Sequence, residues 1–451
     1  MKKLILAIAT ILLALPAFAE AEEEKVATEN SKEIVKTGFS PGGFPIIAFD
    51  NDKGFQFGAL CNLYDFGDGS YYPNPRQQLY AEASWFTKGS QLYVLNYDNR
   101  FLIPKVRFSF VAQFSNEKAM DFYGFNGYQS YYDPSMPSAY YKFGRKVPHG
   151  KLDFTGEITK HLYWKFGYHF KYFIIDSFTS STLDDHDVTP MGYTLFDWYK
   201  HFGLINPDEV KGGMTSSWLA GIMYDSRDVE SAPSRGIWAE ANFEYAPKWM
   251  GTNKPYCKYY ASFRHYIPIL ADNLVFAMRG TVQGYIGKPA FYVIPYDSFL
   301  GYGYDRDGFG GYRNIRAILR DRVQGKSTVY FNTELRWKFV HFSVLKQNIS
   351  LGLSAFFDGG RVLVPYESDD NSFDPSLAII PDQLKKLSLN GLDKEKFHLS
   401  AGAGFRFIMN RNFIIAVEYG MPFNTQDNSK VGKDGSIKNK GAFYVNTGYL
   451  F

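Results

Sequence analysis

The chain has 451 residues, with 49 basic and 46 acidic side chains and a formal net charge of +3 at pH 7. This near balance of charge gives no indication of a nucleic-acid partner. Aromatic residues make up 18% of the sequence, with 34 Tyr and 41 Phe, and the presence of only two Cys excludes a disulfide-stapled scaffold.

The first residues have the pattern of a signal peptide. Two lysines precede an apolar stretch at 4–15, and a small-x-small cleavage pattern ends at Ala19. We therefore predict a signal peptide at 1–19, which directs export. The Glu- and Lys-rich segment that follows is predicted to be a charged periplasmic tail at 20–40.

Hydropathy argues against membrane-spanning helices in the rest of the chain. No run of about 18 apolar residues follows the signal peptide, and the mean hydropathy is −0.27. Export together with many Tyr, Phe and Gly residues favours a transmembrane β-barrel, which has an apolar outer face, aromatic girdles and a polar lumen. Composition alone leaves a secreted β-sandwich open as the alternative.

Apolar and polar residues alternate with a period of two, which is typical of strands with one apolar and one polar face. In one segment, for example, Leu335 and Trp337 alternate with Glu334 and Arg336. The pattern predicts sixteen strands, at 44–51, 55–67, 77–87, 90–103, 106–117, 151–160, 161–176, 216–228, 236–247, 256–270, 273–287, 328–342, 349–363, 398–410, 413–423 and 441–451.

The lengths of the connections support a membrane barrel. Connections after even-numbered strands are mostly tight turns, whereas long segments follow odd-numbered strands, at 118–150, 177–215, 288–327, 364–397 and 424–440. Outer-membrane barrels have long extracellular loops and short periplasmic turns. The sheet must close, because unpaired backbone groups in hydrocarbon cost several kcal/mol each. We predict an all-β fold, an antiparallel transmembrane barrel over 41–451.

The segment 310–318, Gly-Gly-Tyr-Arg-Asn-Ile-Arg-Ala-Ile, resembles a known loop motif. It is similar to the glycine-led Val/Ile-Arg-Gly-Phe/Tyr motif in the sixth extracellular loop of the BamA/TamA superfamily, also called bacterial surface antigens. The matching residues are Gly310, Gly311, Ile315, Arg316 and Ala317. Ala317 stands where the family usually has Gly, so a positive φ there would strain the loop by roughly 1 kcal/mol.

Three further segments strengthen the resemblance, which covers residues 216–451. One resembles the family's D-x-R-D…P-x-x-G periplasmic turn through Asp225, Arg227, Asp228, Pro233 and Gly236. The segment 356–360 resembles its F-x-D-x-G strand, and 400–423 resembles the strands before its terminal one. The resemblance is specific because the four motifs occur together in the family's order.

The resemblance implies that the sixth loop folds into the lumen, where Arg316 would meet Glu334 and Asp358 on the next two strands. Period-two alternation independently directs both carboxylates to the lumen. A planar guanidinium with five donors can satisfy two carboxylates, which a lysine cannot do as well. The alternative is that Arg316 is one of several luminal loop cations, with Arg313, Arg320 and Arg322.

The last predicted strand ends in alternating residues that we expect to face outward, Val445, Thr447, Tyr449 and Phe451. This pattern resembles the outer-membrane β-signal, which assembly machinery recognises as an added strand. Tyr449 and Phe451 are the candidate recognition residues.

The resemblance implies insertion or translocation of protein or lipid at the bacterial outer membrane, through a lateral gate between the strands at 44–51 and 441–451. The expected partners are outer-membrane lipid and a substrate outer-membrane or secreted protein. The segment before the barrel is too short for the family's POTRA modules, so we also expect a separate periplasmic or surface accessory protein.

The alternative is a passive pore or structural barrel that has lost insertase activity, which Ala317 and the expected lack of POTRA modules favour. No nucleophile elbow and no metal-ligand spacing occurs in the sequence. We therefore expect no catalytic residues, no metal and no cofactor.

Overall fold

The computed structural model describes residues 35–50, 54–72, 74–87, 89–178, 192–296, 309–344, 347–368, 373, 382–388, 391–409, 413–447 and 451. The predicted signal peptide at 1–19 and most of the predicted tail at 20–40 lie outside the described residues. In the part of the chain that the structure describes, no helix is long and apolar enough to cross a bilayer.

Among the described residues, sixteen antiparallel strands close into a barrel, which confirms the predicted fold class. They are β1 (Phe39–Asp50), β2 (Gly54–Asp65), β3 (Gln77–Phe86), β4 (Gln91–Ile103), β5 (Val106–Asp121), β6 (Lys142–Thr159), β7 (Leu162–Ser177), β8 (Gly212–Asp225), β9 (Gly236–Ala246), β10 (Tyr256–Leu270), β11 (Leu274–Gly287), β12 (Ser327–Val344), β13 (Gln347–Val364), β14 (His398–Met409), β15 (Phe413–Pro422) and β18 (Ala442–Thr447). Each strand pairs with the next in the chain, and β18 returns to β1.

The remaining elements lie in the connections between strands. A small hairpin, β16 (Ser429–Val431) with β17 (Ile437–Asn439), occupies the connection before β18. Two short helices, α1 (Leu195–His201) and α2 (Asp382–Lys385), lie in the connections after β7 and β13. Thr194 caps α1 by accepting the backbone N–H of Asp197, whose carboxylate accepts the N–H of Thr194 in return.

Two strands begin at least five residues earlier than the sequence predicts. The strand predicted at 44–51 begins at Phe39. The strand predicted at 441–451 is described over Ala442–Thr447, and residues 448–450 lie outside the described residues. The strand predicted at 151–160 begins at Lys142. The upper part of β6 was missed because its charged residues resemble a loop, whereas Lys142 and Arg145 are buried in ion pairs with Asp121 and Glu117 of β5.

The two faces of the barrel wall follow the predicted alternation. On β12, Leu335 and Trp337 are 41% and 50% exposed on the outer face, whereas Glu334 is 1% exposed. The long connections all lie at one end of the barrel, which is therefore the extracellular end. The inner face carries the polar residues on which the candidate site is built.

An aromatic cap fills the extracellular end of the lumen. It joins four long connections to the inner faces of β6, β7, β10 and β11. Its buried members include Phe122, Phe125, Tyr140, Phe143, Phe173, Phe196, Tyr199, Ile205, Phe291, Tyr292 and Tyr366. Because these side chains pack on one another, the loops form one hydrophobic core and hold each other in place.

We predict that Phe122→Ala loosens the aromatic cap and leaves the barrel wall intact. Phe122 is 1% exposed, and its ring lies 5.1–6.1 Å from those of Phe125, Phe143, Phe196 and Tyr199. Replacing such a buried phenylalanine by alanine lowers the free energy of unfolding by about 3–5 kcal/mol. The expected result is rapid protease cleavage of the extracellular loops in a protein that still migrates as a folded barrel on gels without heating.

The matched control is Trp249→Ala, since Trp249 lies in another extracellular loop and is 75% exposed. This variant should be cleaved at the rate of the unsubstituted protein. Equal cleavage rates for the Phe122 and Trp249 variants would show that the cap is not a cooperative core.

Candidate functional site

The candidate site is built around residues 309–326, which we call the inward loop. Gly310 and Gly311 open its turn with φ of 107° and 78°, and a Cβ at Gly310 would collide with the carbonyl oxygen of Leu319. The N–H of Gly311 donates to the carbonyl of Ile318 at 2.8 Å. These glycines let the backbone reverse tightly inside the lumen.

The guanidinium of Arg316, fully buried at the tip of the inward loop, contacts three carboxylates. Nε and Nη2 donate to the two oxygens of Asp358 at 2.8 and 3.0 Å. Nη1 donates to Glu334 at 2.5 Å and to Glu418 at 2.8 Å. The structure therefore brings together the three residues singled out from the sequence, Arg316, Glu334 and Asp358, and adds Glu418 of β15.

Two arginines of the barrel wall complete what we call the luminal ion network. Arg336 donates to Glu334 at 2.7 Å, and Arg406 donates to Glu418 at 2.8 Å. Three arginines thus face three carboxylates, so the formal charges balance. Removal of one charged partner from such a buried network leaves an uncompensated charge, which lowers the free energy of unfolding by about 3–5 kcal/mol.

The chemistry of the network requires arginine at position 316. Its planar fork donates to carboxylates on three strands, and its Cζ lies 3.6 Å from the ring centroid of Phe356. A lysine ammonium is a compact donor that cannot reproduce this arrangement. The arrangement anchors the inward loop to the wall formed by β12, β13 and β15.

Apolar contacts hold the inward loop on the side opposite the ions. Ile315 is fully buried and packs in one cluster with the loop residues Phe309, Ile318 and Val323 and with Tyr330 and Val362 of the wall. Farther along the loop, the guanidinium of Arg322 donates to the carbonyl oxygens of Gly127, Ser130 and Gln426 at 2.6–2.9 Å. The loop therefore joins the wall to two other extracellular loops.

The tip of the inward loop also contacts β18. Ala317 has φ of 66°, which is the strained conformation considered from the sequence. Its N–H donates to the hydroxyl of Tyr444 at 3.2 Å, and the ring of Tyr444 lies 5.6 Å from that of Tyr312. Tyr444 is 1% exposed. One side chain of β18 therefore connects the loop tip to the strand that closes the barrel.

The junction between β1 and β18, which we call the seam, is short. Among the described residues, pairing joins only Phe49 with Val445 and Asp50 with Tyr444, both near the extracellular end. By contrast, β1 pairs with β2 along its whole length, from Phe39 to Asp50. Backbone groups of β1 below the seam are an unpaired strand edge in the described structure.

The predicted periplasmic turn lies at the other end of the barrel. Arg227 donates to both oxygens of Asp225 at 2.9 and 2.7 Å, and Asp228 accepts the N–H of Ser234 at 2.9 Å. Pro233 is buried, and Gly236 has φ of 102°. All five motif residues, with Asp225 and Gly236 at its two ends, therefore belong to one compact turn between β8 and β9.

This turn reaches across to strands that are not its neighbours. Glu230 accepts two hydrogen bonds from Arg100 at 2.8 Å and two from Arg107 at 3.0 and 3.3 Å, at the periplasmic ends of β4 and β5. Burial raises the pKa of Glu230, but the guanidinium groups of Arg107 and Arg100 outweigh burial and hold this pKa well below its usual range. The ionised carboxylate bridges the periplasmic mouth from β8 and β9 to β4 and β5.

The end of β18 departs from the sequence prediction. Phe451 was expected to face outward in line with Val445, but it is 5% exposed and packs with Tyr266, Val275 and Ala277 inside the barrel. That predicted orientation is wrong, because Arg336 on the luminal face donates to the main-chain oxygen of Phe451 at 2.9 Å and the Phe451 ring is buried beside it. Tyr449, the other candidate recognition residue, lies outside the described residues.

Sequence reasoning missed Glu418, Arg406 and Tyr444, although a signal was present for each. All three alternate with outward residues in their strands, so the period-two pattern directs them to the lumen. Only the folded loop shows which luminal groups it meets. In the part of the chain that the structure describes, no cluster of three or more His, Cys, Asp or Glu residues could hold a metal ion.

We predict that Arg316→Lys destabilises the barrel by about 1–3 kcal/mol, because lysine keeps the positive charge but leaves buried carboxylate oxygens of the network without a donor. The measurement is urea unfolding of the protein in lipid vesicles, followed by tryptophan fluorescence. The matched control is Arg235→Lys, whose side chain is 64% exposed and should change the unfolding free energy by less than about 0.5 kcal/mol. Unfolding of both variants at the same urea concentration would contradict the prediction.

We predict that Ala317→Gly is nearly neutral, because two effects oppose each other. Glycine relieves a left-handed strain of about 1 kcal/mol but removes a buried methyl group worth about 0.8 kcal/mol. Ala317→Val should lose more than about 2 kcal/mol, because a β-branched residue fits neither this φ nor the packed tip. The same unfolding measurement checks both variants, and a neutral valine variant would rule out the strained tip.

Comparisons with known proteins place this geometry in a family. The family model described as "Omp85 superfamily domain" matches residues 77–451. A comparison with curated proteins gave no match. Among solved structures, BamA from Haemophilus ducreyi lacking POTRA domains 1-3 is 15% identical, with a TM-score of 0.51, covering 92% of this chain and 70% of that one.

A second similar structure is CdiB from Escherichia coli, which is 10% identical with a TM-score of 0.52. The match covers 91% of this chain and 62% of the CdiB chain. At these identities the two structures support the barrel fold alone, whereas the family match extends over most of the sequence. The chain therefore belongs to the Omp85 superfamily of bacterial outer-membrane β-barrel proteins.

Proposed function

We propose that this protein inserts or translocates polypeptide chains at the outer membrane by opening the seam between β1 and β18. The proposed clients are outer-membrane or secreted proteins, which contact the barrel and the surrounding lipid. The reaction is non-covalent: a client strand pairs with the edge of β1 and is released beside the barrel. Neither a cofactor nor a catalytic side chain takes part.

The observation that carries this proposal is the shortness of the seam. Two residue pairs close it in the described structure, whereas six close the junction of β15 with β18 and twelve that of β1 with β2. An unpaired strand edge is a template for another strand, because its N–H and C=O groups need partners. Among the described residues, opening the seam therefore breaks fewer hydrogen bonds than opening either adjacent junction.

The aromatic cap favours a lateral route over an axial one. Its buried side chains occupy the extracellular end of the lumen, and Arg322 ties the inward loop to the same loops. A chain that crossed along the axis would have to disrupt this core. The passive pore is the second candidate, and the strained Ala317 is the observation that favours it, since the family motif usually has Gly there.

The test is a reversible disulfide lock on the seam. Phe49→Cys and Val445→Cys are placed on paired residues, in a background where Cys61 and Cys257 are replaced by Ser. The expected result is that oxidised protein fails to restore the abundance of other outer-membrane proteins in depleted cells. Reduction of the disulfide should restore full function.

The matched control is a disulfide between Ala241→Cys and Ala261→Cys, which are paired in the continuous junction of β9 with β10. This lock should leave function unchanged. Full function of the oxidised seam variant would contradict opening at the seam. Unchanged outer-membrane protein abundance and lipid asymmetry after depletion would contradict the insertion role, and a steady, selective ion conductance would then support the pore.

A further inference from the structure

The periplasmic end of β12 extends past the strand on one of its two sides. Pairing of β11 with β12 stops at Leu274 and Trp337, and just beyond it the N–H of Lys338 donates to the carbonyl of Asn273 at 2.7 Å. On the other side, β12 continues in pairs with β13 as far as Val344. Among the described residues, the end of β12 therefore has a strand partner on the side of β13 and none on the side of β11.

A bulge marks the point at which this end leaves β11. The register of β12 with β13 shifts between Lys338 and Val340, and Val340–Val344 then pair with β13 in regular order. A bulge bends the strand that carries it. We call Val340–Val344 the free edge, because its backbone groups toward β11 have no strand partner in the described structure.

The free edge has one apolar face and one polar face. Val340, Phe342 and Val344 are 38%, 42% and 46% exposed. The two polar residues between them, His341 and Ser343, form hydrogen bonds of 3.0 Å with side chains of β13. Because successive side chains of a strand point to opposite faces, the three apolar residues share one face.

The apolar face continues the lipid-facing surface of the barrel. Val340 and Phe342 pair with Leu351 and Ile349 of β13. These two residues alternate in phase with Leu353, which is 46% exposed on the outer face. A strand added to the free edge would therefore place apolar side chains toward the membrane and polar side chains toward the barrel mouth.

Other strands that extend past a neighbour at this end have protected edges. Residues 267–270 of β10 extend past β9, and Pro268 there has no N–H to donate. Residues 100–103 of β4 extend past β3, and the side-chain oxygen of Asn99 accepts two of their N–H groups. The free edge contains no Pro, Lys, Arg, Asp or Glu, the residues that usually prevent pairing at an exposed edge.

The chemistry of the free edge fits an extended polypeptide. A row of backbone N–H and C=O groups is satisfied by another strand, and exposed apolar side chains add contact area to such pairing. Alternation of apolar and polar residues is the pattern of a transmembrane strand. A folded soluble protein covers the apolar face of such a strand with its core, whereas an outer-membrane protein that has not yet inserted leaves it exposed.

We propose that the free edge binds a strand of an unfolded outer-membrane protein by β-strand addition at the periplasmic mouth. The identity of this client rests on the proposed function, but the site is separate from the seam, since β13, β14 and β15 lie between β12 and β18. A client strand held there already has the extended backbone that pairing at the seam requires. Binding at β12 and opening at the seam can therefore fail separately.

The test uses the full chain in lipid nanodiscs, which leave both ends of the barrel accessible, and a biotinylated peptide that copies β15 (Phe413–Pro422) as a transmembrane strand. Phe342 is replaced by the photoreactive residue p-benzoylphenylalanine. The matched control carries the same residue at Ile269, which is 41% exposed on the proline-containing extension of β10. Irradiation should label the variant at 342 at least ten times as efficiently, and equal labelling would contradict the proposal.

A modified peptide separates strand pairing from simple apolar adhesion. The same sequence with N-methyl groups on both of its strand edges keeps every side chain but cannot donate backbone hydrogen bonds. Labelling of the variant at 342 should fall at least tenfold with this peptide. Undiminished labelling would show adhesion through side chains alone and would overturn strand addition.

Two further outcomes separate the free edge from the seam and from self-association. The barrel locked by a disulfide between Phe49→Cys and Val445→Cys should be labelled as efficiently as the reduced barrel. Loss of labelling on oxidation would place the peptide at the seam and contradict the proposal, whereas full function of the locked barrel would contradict only opening at the seam. A crosslink from residue 342 to a second copy of this chain, in place of the peptide, would overturn the proposal by identifying a dimer contact.

Discussion

The structure depends above all on the burial of one guanidinium among three carboxylates. Arg316 has no access to water, so its charge is tolerable only because Glu334, Asp358 and Glu418 surround it and Arg336 and Arg406 balance the excess negative charge. These carboxylates belong to three different strands. The loop that carries Arg316 is therefore bonded to the sector of the wall formed by β12, β13 and β15. The loop and these three strands cannot move independently without breaking buried ion pairs.

That sector lies next to the seam. β15, which contributes Glu418, pairs with β18, and Tyr444 of β18 accepts the N–H of Ala317 at the tip of the same loop. The inward loop thus supports β18 from inside the lumen, while two residue pairs among the described residues join it to β1. A barrel usually removes its strand edges by closing, and in the described part of this junction the pairing lies near the extracellular end.

The two ends of the lumen are cross-linked by different kinds of interaction. Aromatic rings fill the extracellular end, where side chains from four long connections form one hydrophobic core. At the periplasmic end, Glu230 reaches from the turn after β8 to arginines of β4 and β5. We propose that client chains therefore leave through the side of the barrel at the seam, where two residue pairs join β1 to β18 among the described residues.

Alternation along the chain was sufficient to determine an all-β barrel, the number of its strands and the face on which Glu334 and Asp358 lie, because strand periodicity is a local property. The loop motif added Arg316 as the partner of these two residues. Local patterns carry no information on which distant strands meet, so Glu418, Arg406 and Tyr444 were placed around the loop only by closure of the barrel. The orientation of Phe451 was wrongly predicted for the same reason. Alternation in the sequence predicted an outward side chain, whereas Phe451 contacts luminal arginines from strands far away in sequence.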